Sequence, residues 1–298
     1  MSNLYSQRLI AHLQQIEQAL PTFLPSKGTL QDTVIEAMSY ACEGGGKRLR
    51  PVLLMEFCRL CCGDTARALP FAAAIEMIHS YSLVHDDLPC MDNSPLRRGK
   101  PSVHAAYGET MALLAGDALL NRAFEVMLNP CNAQAVPPVA VAQAAFILAD
   151  RAGINGMIGG QVIDLQSEGE KIDAATLKAL QEGKTAALIR AACQMGCIVG
   201  SGHDEKVKAA DRFGYFLGLA FQVIDDILDV TSTEAQLGKP VGSDAENQKN
   251  TYVSLLGLEG ASQLAKDYTE NAKQALTVFG DDASDLHALA NALLERVS

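Results

Sequence analysis

An all-α fold is predicted by three observations. Apolar residues recur at helical spacing along most of the 298 residues, runs rich in alanine, leucine, methionine, glutamine and glutamate outnumber any alternating segment, and the breaks carry glycine and proline. The first helix, residues 3 to 20, stops at Pro21 and Pro25; the second, 30 to 43, stops at Gly44-Gly45-Gly46. Helices over 48 to 61 and 65 to 87 are separated by Gly63-Asp64, and one over 110 to 128 ends before Pro130. Segments 138 to 153, 155 to 168 and 174 to 199 follow, the last closed by Gly200 to Gly202. A helix over 204 to 230 precedes the Gly238 to Gly242 break, and 259 to 279 and 283 to 297 complete the chain. No long linker, low-complexity tract or repeat interrupts them, so residues 1–298 read as one domain, a large bundle whose central helices are apolar on most faces.

Composition narrows the function. Lys plus Arg total 24 against 35 Asp plus Glu, a net charge of −11, which argues against nonspecific nucleic-acid binding or attraction to an anionic membrane. Against that sign, Lys47-Arg48-Leu49-Arg50 and Arg97-Arg98-Gly99-Lys100 concentrate positive charge beside glycine, as specific anion sites do. The start of the chain lacks the charged and apolar runs of a secretory signal, and the least polar stretch, Ala135 to Ala149, is too short to cross a bilayer. The chain reads as cytoplasmic, without a membrane anchor. Its eight cysteines read as reduced packing residues; Cys58 and Cys61 form a C-x-x-C spacing, but no second pair or nearby histidine completes a zinc site.

Two aspartate-rich clusters carry the chemistry. Gln222, Asp225, Asp226 and Asp229 stand at i, i+3, i+4 and i+7, on one face of an otherwise apolar helix. His79, Ser82, Leu83 and Asp86 repeat that spacing upstream. A regular helix would turn Asp92 by about 240° from Asp86, so the two meet only if the chain leaves the helix, and Pro89 supplies the break. Crowded carboxylates repel unless cations bind, and Mg²⁺ suits them because it takes oxygen ligands and shares itself between carboxylates and phosphate. Two such clusters suggest a diphosphate held between them. The turn Gly44 to Pro51 presents Lys47 and Arg50 one helical step apart and matches no Walker loop.

Together these residues resemble the trans-isoprenyl diphosphate synthases, most closely the bacterial farnesyl diphosphate synthase group. The resemblance runs from about residue 30 to the end. It rests on Gly45-Gly46-Lys47-Arg48-Leu49-Arg50-Pro51, D-D-x-x-x-x-D at 86 to 92, Leu96 to Pro101, Gly159-Gly160-Gln161 with Asp164, Gly183-Lys184-Thr185, Phe221-Gln222, D-D-x-x-D at 225 to 229, and Gly238-Lys239. It implies an isoprenoid-synthase bundle with a central substrate cavity. Asp86, Asp92 and Asp225 would hold an allylic diphosphate through three Mg²⁺ ions, with Asp87, Asp226, Asp229, Gln161 and Asp164 supporting and Arg97, Lys184 and Lys239 also binding it. Lys184, Thr185, Gln222 and Lys239 would be the catalytic set, the first three facing an allylic cation. Isopentenyl diphosphate would sit without a metal on Lys47, Arg50, His79 and Arg98. A homodimer is the family expectation.

Two segments depart from the family pattern: Asn93-Ser94-Pro95, where further aspartates are usual, and Lys249-Asn250-Thr251-Tyr252. In this family an aromatic at Tyr81, beside Ser82, with the Pro89-Cys90 insertion, implies a fifteen-carbon product. Tyr81 is five residues before Asp86, roughly 7.5 Å along a helix, and is expected to floor the product tunnel. The alternatives are a geranylgeranyl diphosphate synthase, which shares every ligand, and a silent partner subunit. A terpene cyclase would leave Lys47, Arg50 and His79 without a purpose.

Overall fold

The computed structural model describes residues 4–43, 45–231 and 250–297. In chain order the helices are α1 (Gln7–Phe23), α2 (Asp32–Glu43), α3 (Leu49–Cys62) and α4 (Leu69–Asp86). A hairpin of β1 (Leu96–Arg97) and β2 (Lys100–Pro101) leads to α5 (Val103–Tyr107), α6 (Glu109–Leu128), α7 (Pro138–Ala152) and α8 (Met157–Gln166). Then come α9 (Ala174–Gln181), α10 (Ala187–Val199), α11 (Asp204–Thr231), α12 (Tyr252–Ala275) and α13 (Ser284–Leu294).

Burial follows side-chain chemistry. α4 is buried on all sides from Pro70 to Ile78, so it lies inside the bundle, packed on α3 and α6. α10 is equally apolar and sits among α3, α7 and α11. Small residues set those crossings: a Cβ added at Gly196 would stand 2.3 Å from the Leu54 carbonyl oxygen, and one at Gly218 would stand 2.6 Å from the Ala186 Cα. Phe57 anchors the far end, its ring edge-on to Phe213 at 5.5 Å and Phe279 at 5.4 Å. Each such buried aromatic contributes about 1.5–3 kcal/mol.

Several expected boundaries are corrected. Pro21 lies inside the last turn of α1, which ends where the Leu24 N–H reaches the Pro21 carbonyl at 3.3 Å. The helix expected over 174 to 199 is interrupted by a π turn at Glu182–Ala186. α12 begins at Tyr252, before the expected residue 259, because Thr251 caps it reciprocally with Ser254, and it kinks at Gly257. The hairpin and α5 were not anticipated, being too short to carry a period. Among the described residues no helix is long and apolar enough to cross a membrane.

Candidate active site

A cavity of about 1020 Å³ opens between α3, α4, α8, α10 and α11. Its floor is apolar, from Met157, Leu188, Ile189 and Phe221, and its rim is charged.

The basic rim depends on one left-handed turn. Gly45 and Gly46 have φ of 74° and 124°, and Arg48 follows at 48°. Arg48 tolerates this because its buried guanidinium is anchored to Glu17 and Glu76, each at 2.7 Å, and to the Cys42 carbonyl at 2.5 Å. The Tyr5 hydroxyl pins the same turn by donating to the Lys47 carbonyl at 2.6 Å. Lys47 is left pointing into the cavity, 5.0 Å from the centre of the Phe221 ring.

The hairpin delivers consecutive arginines to different places. Its turn residues Arg98 and Gly99 both have positive φ, 53° and 75°, as a two-residue primed turn requires. Arg98 reaches the cavity over Gly46, where an added Cβ would lie 2.4 Å from its guanidinium. Arg97 turns back and forks onto Asp87.

Arg98 is thereby massed with Lys47, Arg50 and His79. Burial, reinforced by Arg98, pulls Arg50 down to about 10 despite Glu76. Burial lowers Lys47 as well, against the pull of Asp225. Burial, then Arg50 and Arg98, holds His79 well below the ordinary histidine range, so it is neutral. Among the described residues Lys47, Arg50 and Arg98 form no ion pair, and the Arg50 Nε is buried without a hydrogen-bond partner. Crowded, desolvated cations of this kind favour an anion.

The first acidic segment leaves the helix as the Pro89 break requires. Leu88 N–H bonds to the His85 carbonyl, and the Asp92 N–H returns to the Asp86 carbonyl at 2.9 Å, bringing the two aspartates together. The Asn93-Ser94-Pro95 departure serves this turn: Asn93 takes φ of 48°, Ser94 bonds to the Leu96 carbonyl at 2.8 Å, and His104 donates to the Ser94 carbonyl at 2.9 Å.

Gly160 and Gly183 explain the two glycine motifs. A Cβ at Gly160 would stand 2.1 Å from the Lys184 nitrogen, and one at Gly183 would stand 2.8 Å from the Gly160 Cα, so α8 and the π turn touch backbone to backbone. The wide turn exposes Lys184 and Thr185 together to the cavity. Gln161 donates to Asp86 at 2.6 Å, and Lys184 to Asp164 at 2.5 Å. Burial opposes the Lys184 charge, but Asp86 and Asp164 outweigh it and raise its pKa. Thr185 donates to the side-chain oxygen of Gln222, Oε1, at 3.0 Å.

The second cluster lies on one continuous helix, as its spacing requires, but its members have different surroundings. Gln222 lines the cavity and donates to Asp226 at 2.9 Å. Asp226 is buried and accepts the Tyr252 N–H at 2.8 Å, fixing the start of α12. Asp229 is also buried, whereas Asp225 stays accessible, 3.5 Å from Arg296.

Among the described residues no group of three His, Cys, Asp or Glu side chains converges as a metal cage. The donor set still fits Mg²⁺, which needs only one or two carboxylates when phosphate oxygens and water complete the shell. Lys239 lies outside the described residues. Of the residues expected to limit product length, Ser82 lines the cavity with Leu83, while Tyr81 is buried just outside that lining, edge-on to His85 at 5.8 Å, with its phenol pushed up to about 12 by burial. A position five residues before Asp86 is turned about 140° away from it on a helix. Glu76, absent from the sequence reading, also lines the cavity; it continues the His79 face one turn upstream.

The chain matches the polyprenyl synthetase family over residues 31–292. It is 42% identical over 292 residues to the chloroplastic heterodimeric geranylgeranyl pyrophosphate synthase large subunit 1 of Arabidopsis thaliana, covering 97% of this chain and 78% of that one. It is 44% identical over 241 residues to the farnesyl diphosphate synthase of Geobacillus stearothermophilus, 81% of each chain. A Helicobacter pylori geranyltransferase structure, complexed with magnesium and isoprenyl diphosphate, superposes with a TM-score of 0.82 at 35% identity over 98% of both chains. The all-α bundle is that of the isoprenoid synthases. The chain belongs to the polyprenyl synthetase family, and it is a prenyltransferase.

Proposed function

We propose that this protein joins isopentenyl diphosphate head-to-tail to dimethylallyl and then geranyl diphosphate, giving farnesyl diphosphate. The observation that carries the reading is the cavity's two different rims: a crowd of cations without an ion-pair partner among the described residues on one side, and aspartates held by amide and cationic donors on the other. A single-diphosphate enzyme has no use for the first rim. Isopentenyl diphosphate takes Lys47, Arg50, His79 and Arg98, where arginine forks and a lysine point charge replace a metal.

Asp86, Asp92 and Asp225 would hold Mg²⁺ for the allylic diphosphate, and the metal would supply positive charge against that diphosphate. Asp87 holds Arg97, Asp164 holds Lys184, and Gln161 orients Asp86, so the supporting residues act through the binding groups. Asp226 supports Asp225 by tying α11 to the start of α12 through the Tyr252 N–H, and Asp229 lies buried on the same helix face. As the allylic carbon–oxygen bond breaks, Lys184, Arg97 and Lys239 stabilise the leaving diphosphate. The oxygens of Thr185 and Gln222 and the Lys184 carbonyl face the allylic cation. The isopentenyl double bond attacks that carbon, and the released diphosphate takes the proton lost in elimination.

Product length turns on what lies past Ser82. Tyr81, next to Ser82 in the chain and buried against His85 just outside the cavity lining, limits how far the growing chain can push into the bundle, favouring fifteen carbons; Tyr81→Ala is expected to lengthen the product, and an unchanged distribution would contradict this. A twenty-carbon product is the second reading, favoured by the identity to the geranylgeranyl synthase subunit. The exposed apolar residues Leu113 and Leu114 on α6 and Phe146 on α7 support a homodimer. The similarity to a bacterial farnesyl diphosphate synthase supports a cytoplasmic location. Incubating purified protein with Mg²⁺, isopentenyl diphosphate and geranyl diphosphate tests the whole reading. Farnesyl diphosphate is expected, geranylgeranyl diphosphate favours the second reading, and no product points to a silent partner subunit.

A further inference from the structure

A separate pair of thiols sits at the end of the bundle away from the cavity. Cys61 is in the last turn of α3 and half-exposed, and Cys197 is buried near the end of α10. The cavity lines the opposite ends of these helices, at Leu49 and Arg50 and at Leu188 and Ile189. α3 and α10 pack on each other, and the Cys197 thiol donates to the Lys206 carbonyl at 3.6 Å. The turn at Gly200 to Gly202 closes over them: a Cβ added at Gly202 would lie 2.7 Å from the Cys61 sulfur and 3.4 Å from the Cys197 Cβ.

The surroundings separate the two chemically. The neighbouring Cys197 thiol makes the Cys61 thiol more acidic than an ordinary cysteine, against its burial, and Lys206 adds to the effect. Lys206 is held there by donating to the Leu60 carbonyl at 3.1 Å. Burial pushes Cys197 well up, so it stays a thiol. A half-exposed thiol that ionises more readily than an ordinary cysteine, beside a second thiol that can resolve it, is the arrangement of redox-sensing cysteines. Cys58 and Cys62 are also close, their sulfurs 3.8 Å apart, but they stand one turn apart on a single helix and both donate to the Asp64 carbonyl. Their side chains run parallel rather than facing, which disfavours a disulfide.

We propose that Cys61 and Cys197 form a reversible, peroxide-sensitive dithiol that closes to a disulfide between α3 and α10. The Cys61 thiolate attacks the peroxide oxygen, the O–O bond breaks, and hydroxide leaves as water after taking a proton. Cys197 then attacks the sulfur of the Cys61 sulfenic acid; the sulfur–oxygen bond breaks, and that hydroxyl leaves as a second water with the Cys197 proton. The two thiols give up two electrons and two protons, and hydrogen peroxide is reduced to two waters. The bond joins distant parts of the chain without crossing the cavity, so it constrains unfolding.

The test is to treat the full-length protein with equimolar hydrogen peroxide, digest it without reduction and sequence the cross-linked peptides. Cys61 and Cys62 fall on one tryptic peptide, Leu60 to Arg67, so Cys62→Ser is the reporting background. The expected result is a bond from Cys61 to Cys197 that dithiothreitol reverses, with a thermal midpoint raised by a few degrees and no rise in Cys61→Ser. Cys61→Ser alters a half-exposed side chain and is expected to fold. The proposal is overturned if Cys61 stays reduced while the exposed Cys90 and Cys131 oxidise, or if it runs on to sulfinic acid with Cys197 untouched.

Discussion

On one rim of the cavity Lys47, Arg50 and Arg98 crowd together around a neutral His79, with burial working against every charge. On the other, Asp86 accepts from Gln161, Asp87 carries Arg97, and Asp164 carries Lys184. The first rim is charged and waiting for an anion. The second is balanced internally, so its ligands exchange existing partners for metal and diphosphate. The difference teaches that two diphosphates can be told apart in one cavity by how much counter-charge the protein has already supplied.

The largest effect expected is on the balanced rim. Asp86→Ala removes a proposed metal ligand and the acceptor for Gln161, and turnover should fall by about 10²–10³-fold with little change in the Michaelis constant for isopentenyl diphosphate, measured by steady-state kinetics. Arg50→Met should do the reverse. It is expected to raise the isopentenyl diphosphate Michaelis constant by about 10–100-fold, the value of a charge-assisted hydrogen bond, with the allylic constant within about threefold. If both variants act on both substrates alike, the rims are not distinct.

Gly160→Ala addresses how the balanced rim is held. The new Cβ meets the Lys184 backbone, so denaturant unfolding should show a loss of about 1–3 kcal/mol. His79 tests the charged rim by pH. Its folded-state pKa lies below its unfolded value, so the unfolded chain binds the proton more readily. Its contribution is therefore absent above the ordinary histidine range and becomes destabilising as pH falls from about 6.5 toward the folded value, by up to about 1.4 kcal/mol per pH unit. His79→Gln should flatten that part of the stability profile. Tyr5→Phe is the smallest change: losing one hydrogen bond to the Lys47 carbonyl should raise the isopentenyl diphosphate constant by about twofold to fivefold.

Much of this contrast was legible in the sequence because it rests on local spacing. The stripe at 222 to 229 gave one helix face, and the mismatch between Asp86 and Asp92 called for the break that Pro89 provides. What stayed hidden depends on distant contacts. Arg48 looks like another member of the basic run, yet Glu17 and Glu76 make it the anchor of the turn. Tyr5 touches Lys47 across 42 positions, and no period links Gly160 to Gly183. That Ser82 lines the cavity and Tyr81 lies just outside it could not be read from distance along the helix, because five residues also rotate Tyr81 about 140° from Asp86. Arg97 and Arg98 part company only because a primed turn lies between the strands, with Arg98 itself in the left-handed region.

Calorimetric titration of each substrate site, with Mg²⁺ and again with a chelator, tests the difference between the rims most directly. Isopentenyl diphosphate and a non-ionising thio-analogue of geranyl diphosphate are the probes. The expected result is that isopentenyl diphosphate keeps its affinity within about threefold without metal, because its charge is met by arginine and lysine, while the allylic analogue loses at least about tenfold. Equal losses for both, or a metal requirement confined to isopentenyl diphosphate, would contradict the account.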